Sequence, residues 1–187
     1  GNIYVSLGDY PMAQQFLYNA VDIFKRLKDN FNISTTMSII TTVNSYLTDY
    51  NTARETNLEA LKFALLSGDS TALNGIYSNF GLIYRNMKLF DSAIYYHQQS
   101  ILIQKEKGDK LGEAINLQNI ANIYRELGSY QRALKIANEA LVIKKEIGNI
   151  RSQLFTDLLI GDIYHSKGDY SKAIARNLKA LEVARSN

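Results

Sequence analysis

The residues able to do chemistry are few. The 187-residue chain carries two histidines, His97 and His165, and no cysteine. A zinc site would need thiolates or imidazoles at helical spacing, as in His-x-x-x-His. The sequence offers neither, so no metal is expected. A Ser–His–Asp constellation would have to be assembled from Ser166, His165 and Asp162. His165 and Ser166 are adjacent on one helix and do not face one another, so that arrangement is poor. Paired carboxylates such as Glu113 and Asp109 read as helix-start and turn residues, not as an acid and its base. No glycine-rich loop precedes a helix in the phosphate-binding manner. What remains is recognition chemistry: no catalytic residue and no cofactor is expected.

The elements that position these residues follow a period of 40. Ala13, Ala53, Ala93, Ala133 and Ala173 are spaced 40 apart without insertion or deletion. Tyr10, Tyr50, Phe90, Tyr130 and Tyr170 stand three residues earlier in the same frame. Ile3, Val43, Ile83, Ile123 and Ile163 form a further row, and so do Val21, Leu61, Ile101, Leu141 and Leu181. Ile23, Phe63, Ile103, Ile143 and Val183 make a fifth. Such self-similarity marks a repeat array, in which each unit buries its apolar face against its neighbours.

Each unit reads as two helices. In the fourth, Ile115, Ile120, Ile123 and Leu127 recur at helical spacing, as do Ala133, Leu134, Ala137, Ala140 and Leu141. Between them, Gly128 suits a helix C-terminus and Ser129 an N-cap. Gly8 and Gly168 repeat that glycine, and Asp9, Asp49 and Asp169 repeat the cap. A second break falls at Gly68–Asp69, Gly108–Asp109 and Gly148–Asn149. Pro11 lies in the first turn of a second helix, where a missing N–H is harmless. Helices of about 17 residues therefore alternate with turns of two to four residues. Gly81, Ala121 and Gly161, with Ala133 and Ala140, are expected to let the paired backbones approach closely. The tyrosine rows at Tyr84, Tyr124 and Tyr164, and at Tyr130 and Tyr170, are expected to fill the space beside them as core. His97 occupies the slot of Asn57 and Asn177 and reads as a packing residue.

Bulk properties narrow the function classes. Apolar residues make up 46% and charged residues 21%, so the chain can bury a core. The net charge of +3 is mild and forms no basic stripe, so nucleic acid is not an expected partner. Lys144 and Lys145 beside Glu146 read as a solvated helix face. No stretch is apolar enough to span a bilayer, so no membrane segment is expected. The lack of cysteine is compatible with any compartment, with the cytoplasm favoured.

The run Ala121–Asn122–Ile123–Tyr124, then Leu127–Gly128–Ser129–Tyr130, then Ala133 and Ala140, resembles the tetratricopeptide repeat signature. The resemblance recurs five times over the whole chain, in a 40-residue variant of the commoner 34-residue form. Ala93–Ile94–Tyr95–Tyr96–His97 followed by Gly108–Asp109 is similar to spindle-orientation adaptors of the Pins type. Gly112–Glu113–Ala114, Leu117 and the Asn119–Tyr124 run are equally similar to arrays in bacterial regulators. Repeat 2 departs most, with Asn44 where Tyr belongs and Thr48 where Gly belongs. The resemblance implies an all-α solenoid of about five helical hairpins wound into a right-handed superhelix. One array is expected, with repeats at about 1–30, 31–70, 71–110, 111–150 and 151–187.

The resemblance also implies protein or peptide binding in a concave groove lined by the first helices, without catalysis. Projected onto this sequence, the groove takes Asn79 and Arg85 from repeat 3 and Gln118, Asn119, Asn122 and Arg125 from repeat 4. Asp162 and His165 come from repeat 5, with Ser38, Thr42 and Ser45 from repeat 2. Amides pair with the backbone of an extended peptide whatever its side chains, and each arginine offers a planar fork to a carboxylate. The alternative is a sensory or regulatory module that controls a flanking domain. RNA binding would need a basic groove, against which Glu126 and Asp162 count. Gly1 falls in the phase of a first-helix middle and Asn187 closes the last second helix, so a piece of a larger protein is expected. Ile3 and Leu7 at one end, with Leu178, Leu181 and Val183 at the other, predict end-to-end self-association.

Overall fold

The structure is a computed structural model that describes residues 1–185. The expected helix end at Asn187 lies outside the described residues. Ten α-helices follow one another, with no strand among the described residues: α1 Asn2–Leu7, α2 Tyr10–Leu27, α3 Asn30–Tyr46, α4 Tyr50–Ser67 and α5 Ser70–Asn86. They continue as α6 Phe90–Lys107, α7 Lys110–Glu126, α8 Tyr130–Glu146, α9 Ile150–Lys167 and α10 Tyr170–Arg185. Each expected hairpin is present, and the class is all-α tandem repeats. The chain divides into two compact units, Gly1–Ile103 and Gln104–Asn187, with the boundary inside α6.

The helix starts are set by short acceptors. Asp9, Asp29, Asp49 and Asp109 each accept a hydrogen bond from the backbone N–H three residues on. Asn149 does the same for α9, and Asp69 reaches Thr71 N. Each satisfies one of the orphan donors of a first turn. Ser129 occupies the N-cap position of α8, yet its side chain makes no capping bond. Pro11 sits in the first turn of α2 as expected. The stops use a left-handed residue, with φ of 75° at Gly8 and 71° at Gly128. Lys28, Thr48 and Lys88 adopt the same conformation without being glycine.

The core of the first unit runs through Leu17, Val21, Ile33, Met37, Ile40, Val43, Ile76 and Phe80. In the second unit it comprises Ala121, Ala133, Ala137, Leu141, Leu159, Ile160 and Ile163. The small-residue row packs differently from the expectation of backbone approach. A Cβ at Gly81 would lie 2.5 Å from the His97 ring, and one at Gly161 would meet the Asn177 amide. The glycines therefore make room for large second-helix side chains, whereas in repeat 4 Ala121 faces the same slot filled by Ala137. First-helix and second-helix residues are matched by volume, repeat by repeat. His97 is fully buried, in keeping with a packing role. Tyr170, expected in the core, is 60% exposed instead.

Candidate functional site

In the first unit, α3 and α5 flank a small pocket of about 160 Å³. Thr42, Ser45 and Tyr46 line it from α3, and Asn79, Leu82, Arg85 and Asn86 from α5. The helical phase of the sequence thus brings Asn79 and Arg85 to one place. Asn79 also has structural work, since its Nδ2 donates to the Ser38 carbonyl at 3.1 Å and the Ser38 Oγ at 2.9 Å. Thr42 and Ser45 turn their hydroxyls back to carbonyls one turn earlier on α3. This arrangement holds two first helices in register and leaves a half-buried guanidinium at a lining of mixed polar and apolar side chains.

In the second unit, the predicted positions separate into three groups. On α7, Asn122 and Arg125 meet directly, with the Arg125 Nε and Nη2 both 3.4 Å from the Asn122 Oδ1. Asn119 is half-buried on the same helix. On α9, Asp162 and His165 are exposed. His165 packs edge-on against Tyr170, with ring centroids 5.3 Å apart. Gln118 is engaged elsewhere: its Oε1 accepts from the Lys144 Nζ and from the Thr156 Oγ1, the latter at 2.8 Å.

That last contact exposes the main residue that sequence reasoning misplaced. Lys144 is 1% exposed rather than part of a solvated face. Its ammonium also donates to Thr156 at 2.8 Å, so α7, α8 and α9 meet at one buried cation with neutral partners. Burial pulls its pKa down from 10.5 to about 8. The signal was present in the repeat rows, where Phe24, Ala64, Gln104 and Ala184 share its position. Gln104 makes the equivalent joint one repeat earlier, accepting from the Asn116 Nδ2 at 3.0 Å. In the first unit Asn44, where the repeat pattern puts Tyr, accepts from Gln14 at 2.7 Å and donates to Thr56 at 3.3 Å. Glu113 is buried between Lys105 and Lys110, at 3.5 and 3.3 Å. Asp109 acts as an N-cap, so this carboxylate couple is structural.

The remaining electrostatics belong to the turns. Hydrogen bonds from Asn32 hold Asp29 below the usual carboxylate range, and bonds from Thr52 do the same for Asp49. Lys172, bonded to Asp169 at 2.9 Å, lowers that carboxyl and is itself raised. Among the described residues no group of three or more His, Asp or Glu is placed to hold a metal ion. No described helix is long and apolar enough to cross a membrane.

Comparison with known proteins follows this geometry. A tetratricopeptide repeat family model matches residues 72–146, and a second matches residues 158–187. No curated protein matches the sequence significantly. Among solved structures, the chain superposes with a TM-score of 0.85 and 19% identity on a signal-transduction ATPase with numerous domains from Pyrococcus horikoshii, a protein with a tetratricopeptide repeat sensor. That match covers 97% of this chain and 28% of the other. A putative kinesin light chain from Podosopora anserina, with nearly identical repeats, gives a TM-score of 0.75 at 13% identity, covering 99% and 92%. A Rap protein solved in complex with competence and sporulation factor gives 0.78 at 12% identity, covering 99% of this chain and 62% of that one. The chain thus spans less than a third of the ATPase and under two thirds of the Rap protein.

Proposed function

Since the chain belongs to the tetratricopeptide repeat family, we propose that it is a non-catalytic scaffold that binds an extended protein segment along its first helices. The family fold generally binds proteins or peptides. The observation that carries the reading is the α3–α5 pocket, where Arg85 and the Asn86 amide stand at a lining that is apolar for the most part, with Leu82 and Tyr46 beside Thr42, Ser45 and Asn79. A peptide backbone laid there meets donors and acceptors of both kinds, and a carboxylate meets a guanidinium fork. In the second unit, Asn122 and Arg125 offer the same pairing of amide and arginine. Asn119, Asp162 and His165 extend that surface, and Gln118 supports it from the α7–α9 joint.

A second reading, a sensory or regulatory module acting on a flanking domain, draws on two of the structural likenesses. One is to a protein with a repeat sensor and the other to a Rap protein in complex with competence and sporulation factor. Both readings place ligand recognition on the first helices.

The test is affinity capture followed by calorimetry on the segment identified. The baits are the wild-type chain, Arg85→Ala and Arg125→Ala, each checked by circular dichroism. Loss of a charge-assisted pair is expected to weaken binding about tenfold or more. Equal affinity for wild type and both variants would remove the first helices as the binding surface. Binding lost in the arginine variants, together with a change in the activity of a flanking domain when the segment binds, would favour the regulatory reading.

A further inference from the structure

Among the described residues, Lys144 is the one cation that is fully buried. Its row holds Phe24, Ala64, Gln104 and Ala184, none of them charged. Keeping a helix in place at this position does not require a cation. One repeat earlier Gln104 makes the equivalent joint with the neutral Asn116 at 3.0 Å. At Lys144 the ammonium meets only neutral oxygens, the Gln118 Oε1 and the Thr156 Oγ1. Two of its three donors are thus in use, and neither bond reaches an anion. A buried ammonium without a counter-charge is costly, and a carboxylate is the partner that stabilises it most.

The charged groups on the helices around it are engaged elsewhere or exposed. On α7, Glu113 lies between Lys105 and Lys110, and Arg125 and Glu126 stand about two turns beyond Gln118. On α9, Asp157 is paired with Arg176 at 2.6 Å, while Arg151, Asp162 and His165 are exposed. Lys145 and Glu146, the neighbours of Lys144 on α8, are exposed as well. Burial is accordingly what pulls the ammonium down to about 8.

Gln118 is the half-buried member of this joint. It shares a stripe of α7 with Asn122 and Arg125, at the four- and three-residue steps of a helix face. Its Oε1 accepts from Lys144 and Thr156, which leaves its Nε2 donors for another partner. Resting on the groove reading above, we propose that Lys144 is a second-helix recognition group for acidic peptide segments. A carboxylate of the bound segment replaces the Gln118 oxygen at the ammonium, and the displaced amide turns its N–H donors to the same carboxylate. Such a site couples binding to a proton, because the carboxylate favours the charged amine. Arginine and glutamate keep their charges from pH 7.5 to 9.5, so Lys144 is the group that makes affinity fall as pH rises through this range.

The test uses the whole chain and two capped pentapeptides, one with glutamate flanked by alanines and the other with glutamine in its place. Carbon-13 NMR of labelled lysine, with the Lys144 signal identified from Lys144→Met, follows the titration of this one amine. The glutamate peptide is expected to raise its midpoint by about one unit or more and the glutamine peptide to leave it unmoved. Affinity for the glutamate peptide should fall about tenfold from pH 7.5 to 9.5. Calorimetry at pH 8.5 in buffers of different ionisation enthalpy should show uptake of roughly half a proton. That count needs wild type alone and holds even if Lys144→Met misfolds. A Lys144 midpoint that is the same with both peptides would overturn the proposal, as would binding of neither. Glutamate binding that is lost in Arg125→Ala but independent of pH would overturn it too, and would leave the groove reading standing with the carboxylate at Arg125.

Discussion

At the scale of single residues, Lys144 is the least expected feature and the one with a clear thermodynamic signature. A buried ammonium between a glutamine and a threonine keeps two hydrogen bonds but has no carboxylate to offset its desolvation. The folded chain therefore releases this proton near pH 8, while the unfolded chain holds it to the ordinary lysine value of 10.5. Between those values the unfolded state binds more protons, so folding stability gained at this site rises with pH. Relative to Lys144→Met, the wild type is expected to gain about 3 kcal/mol between pH 7.5 and 10.5, read by urea unfolding of both proteins at each pH. A difference between the two that stays flat across this range would mean that water reaches the ammonium. The sequence placed Lys144 on a solvated face because it stands beside Lys145 and Glu146. Local charge pattern was the wrong guide, and the residues at its row position in other repeats were the right one. Gln118 shows the same limit: helical phase located its face, but not the buried lysine that claims its amide.

At the scale of elements, the fold was legible because period and turn chemistry agree. Every hairpin predicted from the rows is present, and aspartates that read as caps accept the expected backbone hydrogen bonds. What the rows did not convey is that a left-handed stop is imposed even where glycine is missing. Thr48 takes φ of 60°, a conformation costly for a β-branched side chain. Its hydroxyl bonds the Leu47 carbonyl at 2.7 Å, which offsets part of that cost. Thr48→Gly removes the steric penalty of roughly 1–2 kcal/mol and adds back part of it as chain entropy. The net expectation is a stabilisation of about 1 kcal/mol, or a rise in Tm of about 3 °C, in thermal unfolding of the variant beside wild type. A lower Tm would mean that the turn between α3 and α4 relaxes around threonine without strain. The candidate site was legible at this same level. The pocket takes Asn79 and Arg85 together because Asn79, Leu82, Arg85 and Asn86 follow one another at the three- and four-residue steps that join side chains along a helix face.

At the scale of the whole molecule, an unbroken period conceals an uneven distribution of burial. The rows run through Ile103 and Gln104 without a change of phase, so nothing in the sequence marks the division between the two units. Within the first unit, α3 buries eight residues and α1 none. Within the second, α7 buries six and α10 only Ala173 and Ala180. Opening of a helix costs least where few apolar contacts are lost, so local stability in each unit should fall toward α1 and toward α10. Hydrogen exchange followed by mass spectrometry is expected to show fast uptake in residues 2–7 and 174–184, and slow uptake in α3 and α7. Uniform protection along all ten helices would mean that the array opens as a single cooperative block. In that case burial counted helix by helix would not govern its local stability.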